Sequence, residues 1–194
     1  MNSIKLPSTP IFKSLLSFTA GLIFTFMMVV SFSLSESTFE KHVPQVDTIM
    51  ETKIELYNAH LWLEEILSGD ETEKIHNVWS HFNTGKKYIN FLLHGYGNVD
   101  GNVVLPLSPA FKPNIIEVYT YFHRLEALSK KRFENLRHSS AGTYDDEIYD
   151  DVFNTFIIKL DHLEKQLFEE IRKEHAAFKM LGLSLFSFGL FFSG

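Results

Sequence analysis

The sequence predicts an all-α protein: a membrane-anchored, antiparallel up-down-up-down four-helix bundle whose long first and fourth helices continue into transmembrane helices. Three observations predict it. The two ends of the 194-residue chain are apolar and nearly uncharged, whereas the middle is densely charged. Four segments of that middle each carry an apolar stripe at helical spacing. The links at about 68–70 and 139–144 are short, which sets the helices on either side of them antiparallel.

Residues 1–13 carry Lys5 and Lys13 and no acid, and 14–34 (SLLSFTAGLIFTFMMVVSFSL) hold no charge over 21 positions. That length covers the roughly 30 Å of a bilayer's hydrocarbon core. With Glu36 and Glu40 following, the excess of basic residues places the N-terminus in the cytoplasm and residue 36 onward outside. A cleaved signal peptide is the competing reading, but the apolar run is longer than the 7–15 residues or so of a signal core. Residues 180–194 are also uncharged and follow Lys179. They read as the start of a second transmembrane helix, truncated by the end of the chain, with an interfacial tail as the alternative.

Between them, 35–178 hold the four helices. The first spans about 37–67, with Val46, Ile49, Met50, Leu56, Tyr57, Leu61, Leu63 and Leu67 on its stripe. Ser68-Gly69-Asp70 breaks it, Gly suiting a C-terminal cap and Asp the next N-cap. The second, about 71–93, turns Ile75, Val78, Trp79, Phe82, Ile89 and Leu93 inward. The third, about 113–138, opens on Pro113, which suits a first helical turn, and carries Ile115, Val118, Phe122, Leu125, Phe133 and Leu136. The fourth begins near Asp145 in an acidic turn that complements the helix dipole, and runs through Val152, Phe153, Phe156, Leu160, Leu163, Leu167 and Ile171. One long loop, 94–112, is left to fill the space beneath the two shorter helices, and its Asp100-Gly101 pair predicts a small hairpin.

Composition excludes several functions. All 24 acids lie between Glu36 and Glu174, against 15 of the 18 Lys and Arg residues, a formal charge of −9. Such a segment lacks the basic surplus that nucleic acid requires. There is no Cys, hence no disulfide, thiolate metal site or Cys nucleophile. No phosphate loop, HExxH or G-x-S-x-G is found, so nothing argues for an enzyme or a cofactor.

The informative residues lie on the first helix, where Lys53, His60 and Glu64 share the line of the apolar stripe. Buried polar groups are costly unless paired, and His60 and Glu64, four apart, can touch. Counting down from the distal turn brings Arg132 of the third helix to their depth, with Ser129 one turn below. Together with Trp79 of the second helix, His60, Glu64, Ser129 and Arg132 form a candidate ligand-binding spot walled by aromatics, the shape of a pocket for a small polar ligand. Two other readings stand beside it: an ion pair that only fixes helix register, and a metal site. The metal reading is opposed by the outward direction of His76 and His162, and a lone Glu73-x-x-His76 is half of a di-iron motif.

The stretch Ala59 to Asp70, AHLWLEEILSGD, resembles the end of the first helix in a group of bacterial sensor domains found outside the membrane in chemoreceptors, sensor histidine kinases and diguanylate cyclases. The likeness extends through Gly101, Leu105-Pro106-Leu107, the Arg132 region and Phe153 to Phe156, and covers most of 40–178. It implies an inner-membrane protein with a periplasmic four-helix sensor domain, usually a homodimer, that answers a small ligand or a periplasmic binding protein. The signal would pass to a cytoplasmic output module in chemotaxis or a two-component system. Its partners would then be the ligand, membrane lipid and a second copy, with no nucleic acid. The alternative is a non-signalling two-anchor membrane scaffold or assembly protein.

Overall fold

A computed structural model of the protein describes residues 10–70, 72, 74–95, 97–99, 101–135 and 142–192. The expectations for Lys5, Glu71, Glu73, Leu136, His138 and Gly194 lie outside these residues, as do those for the side chains of 181–192. Among the described residues the regular structure is all α-helical apart from one small hairpin and a single 3₁₀ turn. Helix α1 runs Pro10–Leu67, α2 Ile75–His94, α3 Lys112–Glu134 and α4 Tyr144–Phe192, with a 3₁₀ turn at Pro109–Phe111. The residues fall into two compact units, Lys41–Glu169 and the two terminal stretches Met1–Glu40 with Glu170–Gly194.

Within Lys41–Glu169 the buried positions recur every three or four residues on all four helices. On α1 they are His42, Gln45, Ile49, Thr52, Leu56, Ala59 and Leu63; on α2 Val78, Phe82, Gly85, Ile89 and Leu92. The run Ile115, Val118, Phe122, Leu125, Ser129, Arg132 continues it on α3, and Tyr149, Phe153, Phe156, Leu160, Leu163, Leu167 on α4. Alternating steps of three and four average to a period of 3.5, the spacing that keeps a seam facing neighbouring helices. Each fully buried Leu, Ile or Phe contributes about 1.5–3 kcal/mol.

Contacts between helices run in opposite numerical directions. Lys53 meets Asp161, Tyr57 meets Phe153, and His60 meets Tyr149 across α1 and α4. Asn114 meets Gln166, Phe122 meets Phe156, and Lys131 meets Asp145 across α3 and α4. Trp79 meets Phe133 and Lys86 meets Glu126 across α2 and α3. These neighbours are therefore antiparallel. At Gly85 the approach of α1 is so close that a Cβ would run into Leu56.

Several local expectations are corrected. Met50, Tyr57 and Leu61 belong to no buried stripe but are 47%, 49% and 53% exposed, while Thr48 and Thr52 are fully buried. A 3.6-residue wheel drifts by about 20° per heptad against a 3.5-residue seam, so over this long helix it blurs the core line into its neighbour. Asp70 caps no helix. Its Oδ1 accepts from the Thr72 amide and hydroxyl at 2.8 and 2.6 Å, and α2 starts only at Ile75 behind an extended Lys74. Gly69 does close α1: at φ +94 it bonds to Ile66 O, with Asp70 N reaching Glu65 O, a paired closure that suits a residue without a Cβ. The long loop forms the expected hairpin, β1 Gly97–Val99 against β2 Asn102–Val104, with Gly101 at φ +86, while Asp100 lies outside the described residues. Gln45 fastens the loop by donating to the carbonyls of Leu105 and Pro106, both at 3.0 Å.

The terminal stretch of α1 differs. Leu15, Phe18, Leu22, Ile23, Phe26, Met28, Val29 and Phe32 are each 56–74% exposed and point to every side of the helix. Among the described residues no helix is long and apolar enough to cross a membrane. Ser14–Leu34 and Met180–Gly194 each include side chains outside those residues.

Candidate functional site

The distal part of the core is organised by one arginine. Arg132 is 1% exposed, placed there because it falls one step beyond Leu125 and Ser129 on the seam of α3. Its Nη1 donates to Glu64 Oε1, and its Nη2 donates to Glu64 Oε2 at 3.2 Å and to Asp146 Oδ1 at 2.6 Å. The guanidinium carbon also lies 4.7 Å from the centre of the Tyr149 ring. One buried cation thus joins α1, α3 and α4, with a forked pair to one carboxylate, a single bond to a second, and an aromatic face. Asp146 is held in turn by the Gly142 amide at 2.7 Å.

His60 adjoins this cluster. Its ring stacks on Phe153 at 4.4 Å and on Tyr149 at 5.5 Å, with Nδ1 3.4 Å from the Tyr149 hydroxyl and 3.9 Å from Glu64 Oε1. Burial holds the imidazole below its ordinary value, outweighing the pull of Glu64, Asp150 and Asp146, and Arg132 adds to the depression. Burial likewise pushes the Tyr149 phenol well above its ordinary value, against a hydrogen bond shared with Ser129. The ring at position 60 is therefore neutral at neutral pH and the phenol stays protonated.

Four of the five residues named from sequence come together here: His60, Glu64, Ser129 and Arg132. Ser129 is fully buried, and its one hydroxyl proton goes to Leu125 O at 2.9 Å. Trp79 does not join them. It packs against Phe82 and Phe133, with Lys130 Nζ 5.9 Å from its ring centre, on the seam between α2 and α3. Phe153, which the fourth-helix stripe already placed inward, and Tyr149 of α4 form the aromatic wall. Asp146 and Tyr149 are the residues that sequence reasoning missed. Stepping the α4 stripe one turn back from Val152 and Phe153 reaches Tyr149, and one more reaches Asp146, so the signal was periodic and present.

A second ion cluster lies lower on the same helix pair. Lys53, which like His60 and Glu64 sits beside the buried line and not on it, donates to Asp161 at 2.6 Å and to Glu164. Burial pulls its pKa down, but these two carboxylates more than offset that and raise it above the ordinary lysine value. Between α1 and α2, His81 Nδ1 lies 2.5 Å from Glu55 Oε2 with Trp62 edge-on to the imidazole. Chemically, the distal cluster holds no nucleophile activated by a base. It can pair charges, take up a proton at His60, or exchange one carboxylate partner for another. Compared with known proteins, the chain matches no family model, no curated protein and no solved structure.

Proposed function

We propose that the chain is the input part of a bacterial transmembrane receptor. In this reading residues 35–178 are a periplasmic four-helix bundle, 14–34 is a membrane anchor with a cytoplasmic N-terminus, and 180–194 opens a second span. The observation that carries it is the continuity of two helices. Both α1, with 58 residues, and α4, with 49, run unbroken from an apolar terminal stretch into the buried seams of the core. Arg132 ties α1 to α4 through Glu64 and Asp146, so a change at the cluster alters how these two rods pack. Helix shifts of about 1–2 Å are enough to carry a signal between two packed states. The Arg132 donors engage carboxylates of the chain itself, and a small polar ligand would act by competing for them.

A second copy completes the proposal. Val43, Met50, Ile54, Tyr57 and Leu61 are 44–53% exposed and lie at intervals of seven, four, three and four residues along one face of α1. That spacing is a second helical seam, suited to the same helix of a twin subunit in parallel.

The test is a fusion of residues 1–194 to the cytoplasmic output of a transmembrane receptor. Output that changes with an external stimulus, and loses that change in His60→Ala and Arg132→Ala variants that still reach the membrane, supports the reading. A stimulus response untouched by both substitutions rejects it.

A further inference from the structure

In the distal cluster the carboxylates outnumber the cation. Arg132 faces two carboxylates, Glu64 and Asp146, and a third, Asp150, acts on the same space from α4. The group placed to supply a further positive charge is His60. Its Nδ1 lies 3.9 Å from Glu64 Oε1, the oxygen that also receives the Arg132 Nη1 bond. Because His60 and Glu64 are one turn apart on α1, a side-chain rotation closes that gap with no backbone movement. Arg132 keeps Asp146 at 2.6 Å when Glu64 leaves, so the buried guanidinium is not stranded, which is the usual cost of breaking such a pair.

We infer that Glu64 is a two-position carboxylate, held by Arg132 when His60 is neutral and drawn to the imidazolium when His60 takes a proton. Acidification then releases α1 from α3 while Arg132 and Asp146 keep α3 joined to α4. Every group around the ring acts in this exchange. On α1 Glu64 receives the new bond. On α4 Asp146 retains Arg132, Asp150 favours the imidazolium, and Tyr149 turns from donor to acceptor because a protonated ring offers only N–H. On α3 Arg132 opposes the proton by its charge and sets the threshold. On α2 the titratable group against α1 is His81, which is engaged with Glu55 on another face of the helix. Burial moves the His60 transition to the acid side of ordinary histidine, so the device responds below that pH. The inference names the stimulus for the site proposed above and takes its physiological meaning from that reading.

The experiment follows the guanidinium nitrogens of Arg132 by NMR in the full chain in lipid nanodiscs. The sequence has only four arginines, so the signals can be assigned by substitution. From about pH 7.5 to about pH 5, spanning the ordinary histidine value, the Arg132 signals should shift with the midpoint of the His60 imidazole. They should stay fixed over that range in His60→Gln and in His60→Phe, which keeps the stacked ring. Arg132 signals that stay fixed while His60 titrates, or that shift equally in both variants, overturn the proposal. The readout needs no output module. Fixed Arg132 signals beside a fusion that answers other stimuli would remove the proton switch alone. Shifting signals beside a fusion that answers nothing would remove the receptor reading alone.

Discussion

Helix α1 contains two stretches that both carry large apolar side chains and arrange them in opposite ways: the first holds no charge, and the second holds Asp47, Glu51, Lys53 and Glu55. From Leu15 to Phe32 large apolar side chains point to all sides and remain exposed. From His42 to Leu63 the buried positions form a single line, and that line includes His42, Gln45, Thr48 and Thr52. The difference teaches that hydrophobicity alone does not decide what a helix packs against. A helix that is apolar all round has no preferred neighbour and suits a uniform apolar surrounding such as lipid. A helix with one seam selects partner helices, and along that seam even polar groups are tolerated when each finds a bond. Thr48 and Thr52 donate to the carbonyls of Pro44 and Thr48, at 2.6 and 2.7 Å, and His42 Nδ1 bonds Gln45 Oε1 at 2.9 Å.

The largest effect expected from breaking this contrast is on the first stretch. Under the anchor proposed above, Leu22→Arg with Phe26→Arg should cost about 6 kcal/mol of insertion, at about 3 kcal/mol per arginine near the middle of a span. The double variant should leave the membrane fraction after alkaline extraction. Unchanged retention would mean that this stretch is not the anchor. In the seam region, Phe122→Ala removes a fully buried ring that touches Phe82 and Phe156, and should lower unfolding stability by about 4 kcal/mol. A denaturation midpoint within error of the parent would show that the four seams do not share one core.

Arg132→Met comes next, at about 3 kcal/mol, because it leaves Asp146 and the partly buried Glu64 without their cation. Adding Glu64→Leu should restore part of the loss, since the pair is then replaced by apolar packing. A double variant no better than the single one would place the cost in lost contacts of the arginine stem.

The pH dependence has a definite sign. His60 in the folded protein lies below its ordinary value of 6.5. As pH falls through that value, the unfolded chain takes up a proton that the folded one refuses. Stability is therefore full above the ordinary histidine value, declines as pH drops toward the folded value, and levels off below it. His60→Gln should flatten that limb of the melting profile, and an identical limb would assign it to another histidine. Lys53 acts at the opposite end. Its raised value gives stability that is complete below about 10.5 and is lost as pH rises through the folded value. The smallest effect is expected at Thr52→Val, within about 1 kcal/mol. Its hydroxyl returns only to the carbonyl one turn back, and an isosteric methyl leaves that carbonyl in its helical bond. A loss several times larger would mean that the lower, polar half of the core depends on its hydroxyls.

How much of this could be read in advance varies by residue. The helical class, the hairpin at Asp100-Gly101 and the closing role of Gly69 were legible because each depends on local periodicity or on a backbone angle that few residues accept. The meeting of His60, Glu64, Ser129 and Arg132 was legible because helix rise converts sequence distance into depth. Trp79 was assigned to the same spot on depth alone, and depth does not say which side of the core a side chain occupies. Asp146 was read only as part of an acidic first turn; its bond to Arg132 depends on the rotation of α4 against α3.

The sequence by itself determined that the chain is helical and that its ends are apolar and its middle acidic. Those properties follow from charge, from spacing and from the chain's own backbone preferences. Only the tertiary structure decided that Arg132 has two carboxylates rather than one, that Tyr149 joins Phe153 beside His60 while Trp79 does not, and that Met50, Tyr57 and Leu61 face outward. These depend on how helices rotate about their own axes as they pack. That rotation is fixed by the sum of contacts across all the seams, and no single segment of sequence contains it.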